Sequence, residues 1–257
     1  MKITVCQIDN RDGYRQDAYQ RLAEHTSGVS PDLLLLPELG FDDWLAATRE
    51  VSADRWQRSV DTHAKEIADL ARYGARAAIG TRPVVNEAAS RRNEVYLWNP
   101  DRGAVRVKEK YYLPDHEGFY EHSWYDRGER EFNIVRVRDA RLGVQVCTEM
   151  WFFEWARMLG QSNADVIGVP RATGHASLQG WIAGGKAAAV VAGAYCISSN
   201  SWAPIGSTAN LGGGGWIIAP DGELLALTST DEPFLTVDID LAIARSAKNT
   251  YPRYVRE

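Results

Sequence analysis

Cys147 stands where the pattern of the chain changes. Before it, Leu142-Gly-Val-Gln-Val146 alternates between apolar and polar, apart from Gly143, and favours β-branched residues, which predicts a strand. After it, Phe152, Phe153, Ala156 and Leu159 recur at helical spacing over 151–160. Unpaired backbone N–H groups at a helix start favour an anion, so a thiol at this corner is expected to have a lowered pKa. The alternative is a small buried hydrophobe, the usual state of a free cysteine. Two more apolar strands end in an ionisable residue. Pro31-Asp-Leu-Leu-Leu-Leu-Pro37 delivers Glu38, and a strand over 104–107 delivers Lys110. Taken singly, Glu38 also fits a surface or capping carboxylate and Lys110 a solvated hairpin lysine. Taken together, the three suit acyl transfer from a carbon–nitrogen centre. A thiolate attacks carbon, a carboxylate moves the proton, and a fixed cation neutralises the charge that develops. None of His25, His63, His116, His122 and His175 occupies a comparable position.

These three residues need a scaffold, and the rest of the chain predicts one. Strands are expected over 2–9, 31–37, 77–81, 94–99, 104–107, 132–137, 142–146, 164–169, 195–199, 216–219 and 234–239. Helices are expected over 14–25, with Tyr19, Leu22 and Ala23 on one side, and over 178–191. A third begins at Ser52 as its cap and reaches Tyr73, with Trp56, Val60, Ile67, Leu70 and Ala71 as its inner stripe. Strands and helices alternate in two halves with hairpins between them. The expected fold is α/β, a four-layer α-β-β-α sandwich of two mixed sheets packed face to face with helices outside; a single doubly wound sheet is the alternative. No repeat or linker-like shift interrupts 1–257, so one domain is expected. The stretch 110–131 is irregular and rich in aromatic residues, which marks it as functional.

The 257 residues carry 29 Lys and Arg against 34 Asp and Glu, a formal net charge of -5, with no basic run, so nucleic acid is an unsuitable partner. No apolar stretch is long enough to span a bilayer, and the start turns polar too soon for a signal peptide. Three widely spaced cysteines fit a reducing cytosol, and a cytoplasmic location is expected. No His/Cys cluster has metal-ligand spacing, and the run Gly212–Gly215 lacks the Lys-Ser/Thr of a phosphate loop, so no metal or cofactor is expected.

The sequence resembles the nitrilase or carbon–nitrogen hydrolase superfamily along essentially its whole length. Leu34-Leu-Leu-Pro37-Glu38 is similar to the strand ending in that family's general-base glutamate. Lys110-Tyr-Tyr-Leu113-Pro114 matches a lysine three residues before Leu-Pro, and Cys147-Thr-Glu149-Met-Trp-Phe-Phe-Glu154-Trp-Ala-Arg157 resembles the nucleophile segment. Glu117-Gly-Phe-Tyr120 is similar to the place where many members carry a second glutamate; Asn200 and Gly215-Trp-Ile-Ile-Ala-Pro-Asp-Gly222 are further landmarks. The resemblance implies a Glu38-Lys110-Cys147 triad, Glu117 orienting Lys110 and the substrate nitrogen, an oxyanion held by Lys110 and the Thr148 N–H, and a thioester intermediate. It implies hydrolysis of a small amide. Nitriles, carbamoyl compounds and amine-accepting acyl transfer remain alternatives on the same residues. It also implies a homodimer or larger assembly, to which the tail Tyr251-Pro-Arg-Tyr-Val255 is a candidate contributor.

Two departures bear on the substrate rather than the chemistry. Gly184-Gly-Lys186-Ala stands where members usually have an arginine, and Trp151-Phe-Phe153 where many have Arg-Phe-Pro. Met150 and Trp151 also stand where carboxylate-binding D-carbamoylases have arginines, which argues against that activity. Phe41, Trp44, Tyr120 and Trp151 flank the three segments and are candidate pocket walls, with core packing as the alternative for each. Arg171, after a buried strand, is a candidate clamp for a substrate carboxylate.

Overall fold

The computed structural model describes residues 1–207 and 209–255. The chain runs β1 (Lys2–Asp9), α1 (Arg15–Val29), β2 (Leu33–Leu35), α2 (Ala53–Ala68), β3 (Ala78–Val85), β4 (Arg91–Asn99), β5 (Gly103–Glu109) and α3 (Glu121–Trp124). It continues through β6 (Val135–Val137), β7 (Ala140–Val144), α4 (Phe153–Gln161), β8 (Val166–Arg171), α5 (Leu178–Ala192) and β9 (Tyr195–Trp202). Last come β10 (Trp216–Ile218), β11 (Leu224–Leu227), β12 (Phe234–Asp238) and α6 (Leu241–Ala247).

These strands make two mixed sheets. The first runs β5-β4-β3-β2-β1-β12, parallel through β1, β2 and β3 and antiparallel elsewhere. The second runs β11-β10-β9-β8-β7-β6, parallel through β7, β8 and β9. The end of β1 also pairs in parallel with β9, joining the two. The apolar run through β2 is buried on both faces, as such runs are in parallel sheets. Leu33 and Leu35 enter the core shared with Val144, Val166 and Ile197 of the second sheet, while Leu34 and Leu36 pack under α1 against Tyr19 and Leu22. A methyl group placed on Gly168 of β8 would lie 3.5 Å from Leu35, so the sheets meet there. Helices α1 and α2 cover the first sheet, and α4 and α5 the second. The architecture is the α-β-β-α sandwich.

Local differences from the sequence expectation have physical causes. Ser52 does cap α2, its hydroxyl accepting the Arg55 N–H at 3.2 Å. The α-helix stops at Ala68, however, and Leu70–Tyr73 is a separate 3-10 turn. Past that break Ala71 is exposed; within the helix, Ser59 and His63 are buried with Trp56 and Ile67. Gly143 interrupts the β7 pattern because α4 crosses over it: a Cβ there would sit 2.6 Å from Leu159. The Gly184-Gly185 pair has the same origin. Added methyls would meet the Trp151 ring at 3.0 Å and the Trp216 indole at 3.0 Å, so α5 packs directly on two large aromatic rings. Among the described residues no helix is long and apolar enough to cross a membrane.

Candidate functional site

Strand ends from both sheets converge on one buried cluster. Glu38 follows β2 in a tight turn: its N–H donates to the Arg171 carbonyl at 3.2 Å, and Leu39, at φ 44°, donates to Thr81 Oγ1 at 2.8 Å. Lys110 follows β5, its N–H held by the Asn93 carbonyl at 2.8 Å. Gly128 lets the returning chain pass against it, because any Cβ there would lie 2.3 Å from that of Glu109. The Lys110 ammonium, fully buried, donates to Glu38 Oε1 at 2.7 Å and to Glu121 at 2.8 and 2.6 Å. Asn93 Nδ2 donates to the same Glu38 oxygen at 2.8 Å, and the Tyr125 hydroxyl to Glu121 at 2.5 Å. Glu38 Oε2, buried, has no hydrogen-bond partner among the described residues.

Cys147 follows β7 and begins a 3-10 turn, Cys147–Trp151, at φ 49°, a left-handed conformation rare for a residue with a side chain. The expected helix start lies further on, at Phe153. The thiol is 3.9 Å from the Ala172 carbonyl. Burial and then the negative charge of Glu38 push its pKa up to about 12, against the pull of Lys110, so the expected depression does not occur. At neutral pH the sulfur carries its proton. Burial works against the Lys110 charge, but Glu121 and Glu38 reverse that and raise its pKa. Glu121 is pushed up to about 7, chiefly by burial, with Lys110 acting in the opposite direction.

Beside this cluster lies a cleft of about 160 Å³, lined by Cys147, Thr148 and Glu121 together with Phe119, Thr173 and Trp181. Pro114, His116, Ala172, Gly174 and Ser177 complete its wall.

Several expectations about these residues are corrected. Glu117 is exposed, at the tip of a turn in which His116 bridges to Phe119; the acid on Lys110 is Glu121, on the one-turn helix α3. Phe41 is core, packed on Tyr19 at 4.9 Å and on His63. Trp44 is also buried, donating to the Gly118 carbonyl at 2.9 Å and standing behind Phe119. Tyr120 is turned to the Arg49 guanidinium, 4.4 Å above its ring. Trp151, 42% exposed, packs on the outer side of Trp181. Arg171 cannot clamp a substrate carboxylate, because its fully buried guanidinium is spent on Ser198 Oγ, Thr173 Oγ1 and the Gly214 carbonyl at 2.7, 2.6 and 2.5 Å. It lies 4.0 Å over the Trp216 ring.

Glu121, Asn93, Thr173 and Trp181 were not singled out from the sequence. For Glu121 a signal existed: it sits among Tyr120, Trp124 and Tyr125, whereas Glu117 sits in the turn-forming run Asp115-His-Glu-Gly118. An acid among aromatic residues is the one that the core draws in.

Residues 2–249 match the family model described as carbon-nitrogen hydrolase. The chain belongs to the carbon–nitrogen hydrolase family. Among curated relatives, an N-carbamoylputrescine amidase of Solanum tuberosum is 29% identical over 82 residues, 32% of this chain and 27% of that protein. The chain thus aligns with about a quarter of that relative's length. A carbon-nitrogen hydrolase from Helicobacter pylori G27 superposes with a TM-score of 0.84 at 19% identity, covering 98% of this chain and 94% of that one. An amidase from Nesterenkonia sp. superposes with a TM-score of 0.74 at 22% identity, covering 95% and 92%. At such identities the superpositions establish the family fold.

Proposed function

We propose that this chain is a cysteine-dependent amidase that hydrolyses the carbon–nitrogen bond of a small amide through a thioester on Cys147. The observation that carries the reading is the Glu38–Lys110–Glu121 cluster, with one Glu38 oxygen left unpaired and the Cys147 thiol within the field of all three. Since the thiol is held protonated, attack has to be coupled to proton removal. Glu38 accepts that proton on its free oxygen as sulfur bonds to the carbonyl carbon. The oxyanion is held by the Lys110 ammonium and the Thr148 N–H. Collapse expels ammonia or an amine, which leaves with the proton held by Glu38. Glu38 then deprotonates a water that attacks the thioester, releasing the acid and returning the proton to sulfur. Glu121 keeps Lys110 charged and in place throughout.

The cleft favours a short, uncharged acyl group. It is small beside the roughly 300–1,000 Å³ of typical ligand pockets, and Arg171 is committed elsewhere. A carbamoyl substrate is the second reading, favoured by the name of the Solanum tuberosum relative. The same proposal has the protein working in the cytoplasm as a homodimer or larger assembly, supported by its three free cysteines and by the exposed Tyr251 and Tyr254 of the tail.

The test is ammonia release from a panel of short aliphatic amides, carbamoyl amines and nitriles, with amine acceptors added to expose acyl transfer. Wild type should turn over short amides, and Cys147→Ala, folded by circular dichroism, should turn over none. Retained turnover in that variant rules the mechanism out.

A further inference from the structure

A second buried ion pair lies next to the cluster just described, and the chemistry above leaves it without a task. Glu149 is fully buried in the turn that begins at Cys147. Its Oε2 accepts the Val146 N–H at 2.8 Å and the Lys108 ammonium at 2.7 Å, and its Oε1 accepts the Tyr111 N–H at 2.8 Å. Val146 is the residue before Cys147, and Tyr111 is the residue after Lys110. One carboxylate therefore joins the backbone of the sulfur-bearing turn, from the second sheet, to the backbone of the ammonium-bearing segment, from the first. The turn closes on itself as well, through Glu149 N–H to the Val146 carbonyl at 3.0 Å and Gln145 Nε2 to the Glu149 carbonyl at 3.0 Å.

We propose that Glu149 is a positioning residue: it holds Cys147 in its left-handed conformation and in fixed register with the Lys110 ammonium, while the Lys108 ammonium holds the Glu149 carboxylate in place. This rests on the reading that Cys147 and Lys110 carry the chemistry. Both backbone links need an acceptor at each oxygen, which only the ionised carboxylate provides. A glutamine of the same shape offers one oxygen and one NH₂, and the NH₂ must face one of the two N–H donors. Whichever way it turns, one link is lost. The Lys108 side chain is 1% exposed, with its ammonium 3.7 Å from the centre of the Phe132 ring. Burial pulls its pKa down, and Glu149 opposes that. Each of the two buried groups is the other's ion-pair partner, so removing either leaves the other buried without one.

The experiment measures kcat and KM for a short amide, and the rate of Cys147 alkylation by iodoacetamide followed by mass spectrometry. Cys147 lines the cleft, whereas Cys6 and Cys196 are fully buried and form no part of its lining, and the mass of the labelled peptide reports Cys147 separately. Glu149→Gln should lower kcat by about tenfold to a hundredfold, as a small misplacement of reacting groups does, with KM changed less than about threefold. Alkylation should slow in parallel. Lys108→Met should lower kcat and slow alkylation in the same proportion, because the Glu149 carboxylate loses the ammonium that holds it at 2.7 Å; Lys108→Arg should restore both. A folded Glu149→Gln with kcat and alkylation rate within about twofold of wild type overturns the proposal. Should Glu149→Gln fail to fold, a folded Lys108→Met protein with kcat and alkylation rate within about twofold of wild type overturns it equally. If wild type releases no ammonia from any amide, the amidase reading fails instead, and alkylation still decides the positioning role.

Discussion

Glu38 and Glu121 share one ammonium, but only Glu38 keeps an oxygen free, and that difference separates their effects. Glu38→Gln retains an acceptor for Lys110 and, on the proposed mechanism, removes the base. We expect kcat to fall by about 10²–10⁴ while the melting temperature barely moves, measured by ammonia release and thermal unfolding. Glu121→Gln should also lower kcat, by weakening the hold on Lys110, whereas Glu117→Gln should leave kcat within about twofold of wild type because that side chain is in solvent. Equal losses at 117 and 121 would refute the assignment of the second acid. The comparison also locates what a sequence hides at this scale. Residue type and order singled out Glu38, Lys110 and Cys147 in the sequence, since each closely follows a strand, and the structure brings Glu38 and Lys110 into contact. Glu121 projects from a single helical turn inside an irregular stretch, and no periodicity marks which of two acids four residues apart turns inward.

Helix α2 shows what burial does to an element whose stripe includes a titratable ring. His63 is 1% exposed, its Nδ1 donates to the Ser59 carbonyl at 2.8 Å, and its Nε2 has no hydrogen-bond partner among the described residues. Burial pulls its pKa from 6.5 to about 4. The folded state thus resists a proton that the unfolded chain accepts, so stability is full above pH 6.5 and declines as pH falls toward 4. The loss amounts to about 3 kcal/mol over that window. In urea unfolding, His63→Phe should narrow the gap between stability at pH 7 and at pH 4.5 by about 2 kcal/mol; an unchanged gap would assign the acid sensitivity to other groups. Element types were readable from the chain because apolar spacing sets them, as with β2 and α5. Ends were less so. The α2 stripe was expected to run on to Ala71, but the α-helix ends at Ala68 and the 3-10 turn that follows leaves Ala71 exposed, while within the helix His63 is buried at the spacing shared by Trp56, Ser59 and Ile67. The pocket walls were not legible either: aromatic residues near strand ends serve the core equally well, as Phe41 and Trp44 do, and only three-dimensional packing distinguishes the two roles.

At the scale of the whole molecule, the cluster belongs to neither sheet. Glu38 and Lys110 extend from the first sheet and Cys147 from the second, so the spacing between acid, cation and sulfur is set by how the two sheets pack. Leu35 stands at that junction, fully buried and facing the Gly168 backbone of β8. Leu35→Ala leaves untouched the carbonyl that accepts the Ser199 hydroxyl at 2.7 Å, and removes only side-chain volume. The cavity should cost about 2–5 kcal/mol of stability. Because a loosened junction lets the sheets shift before they separate, activity is the more sensitive reporter. In rising urea, the midpoint for ammonia release and the midpoint for circular dichroism should coincide in wild type, as for one cooperative unit. In Leu35→Ala both should move to lower urea, with activity lost first. A variant that loses stability yet keeps the two midpoints together would show that the sheets separate only as the whole fold unravels, and that the site's geometry is fixed by its own hydrogen bonds and not by the sandwich around it.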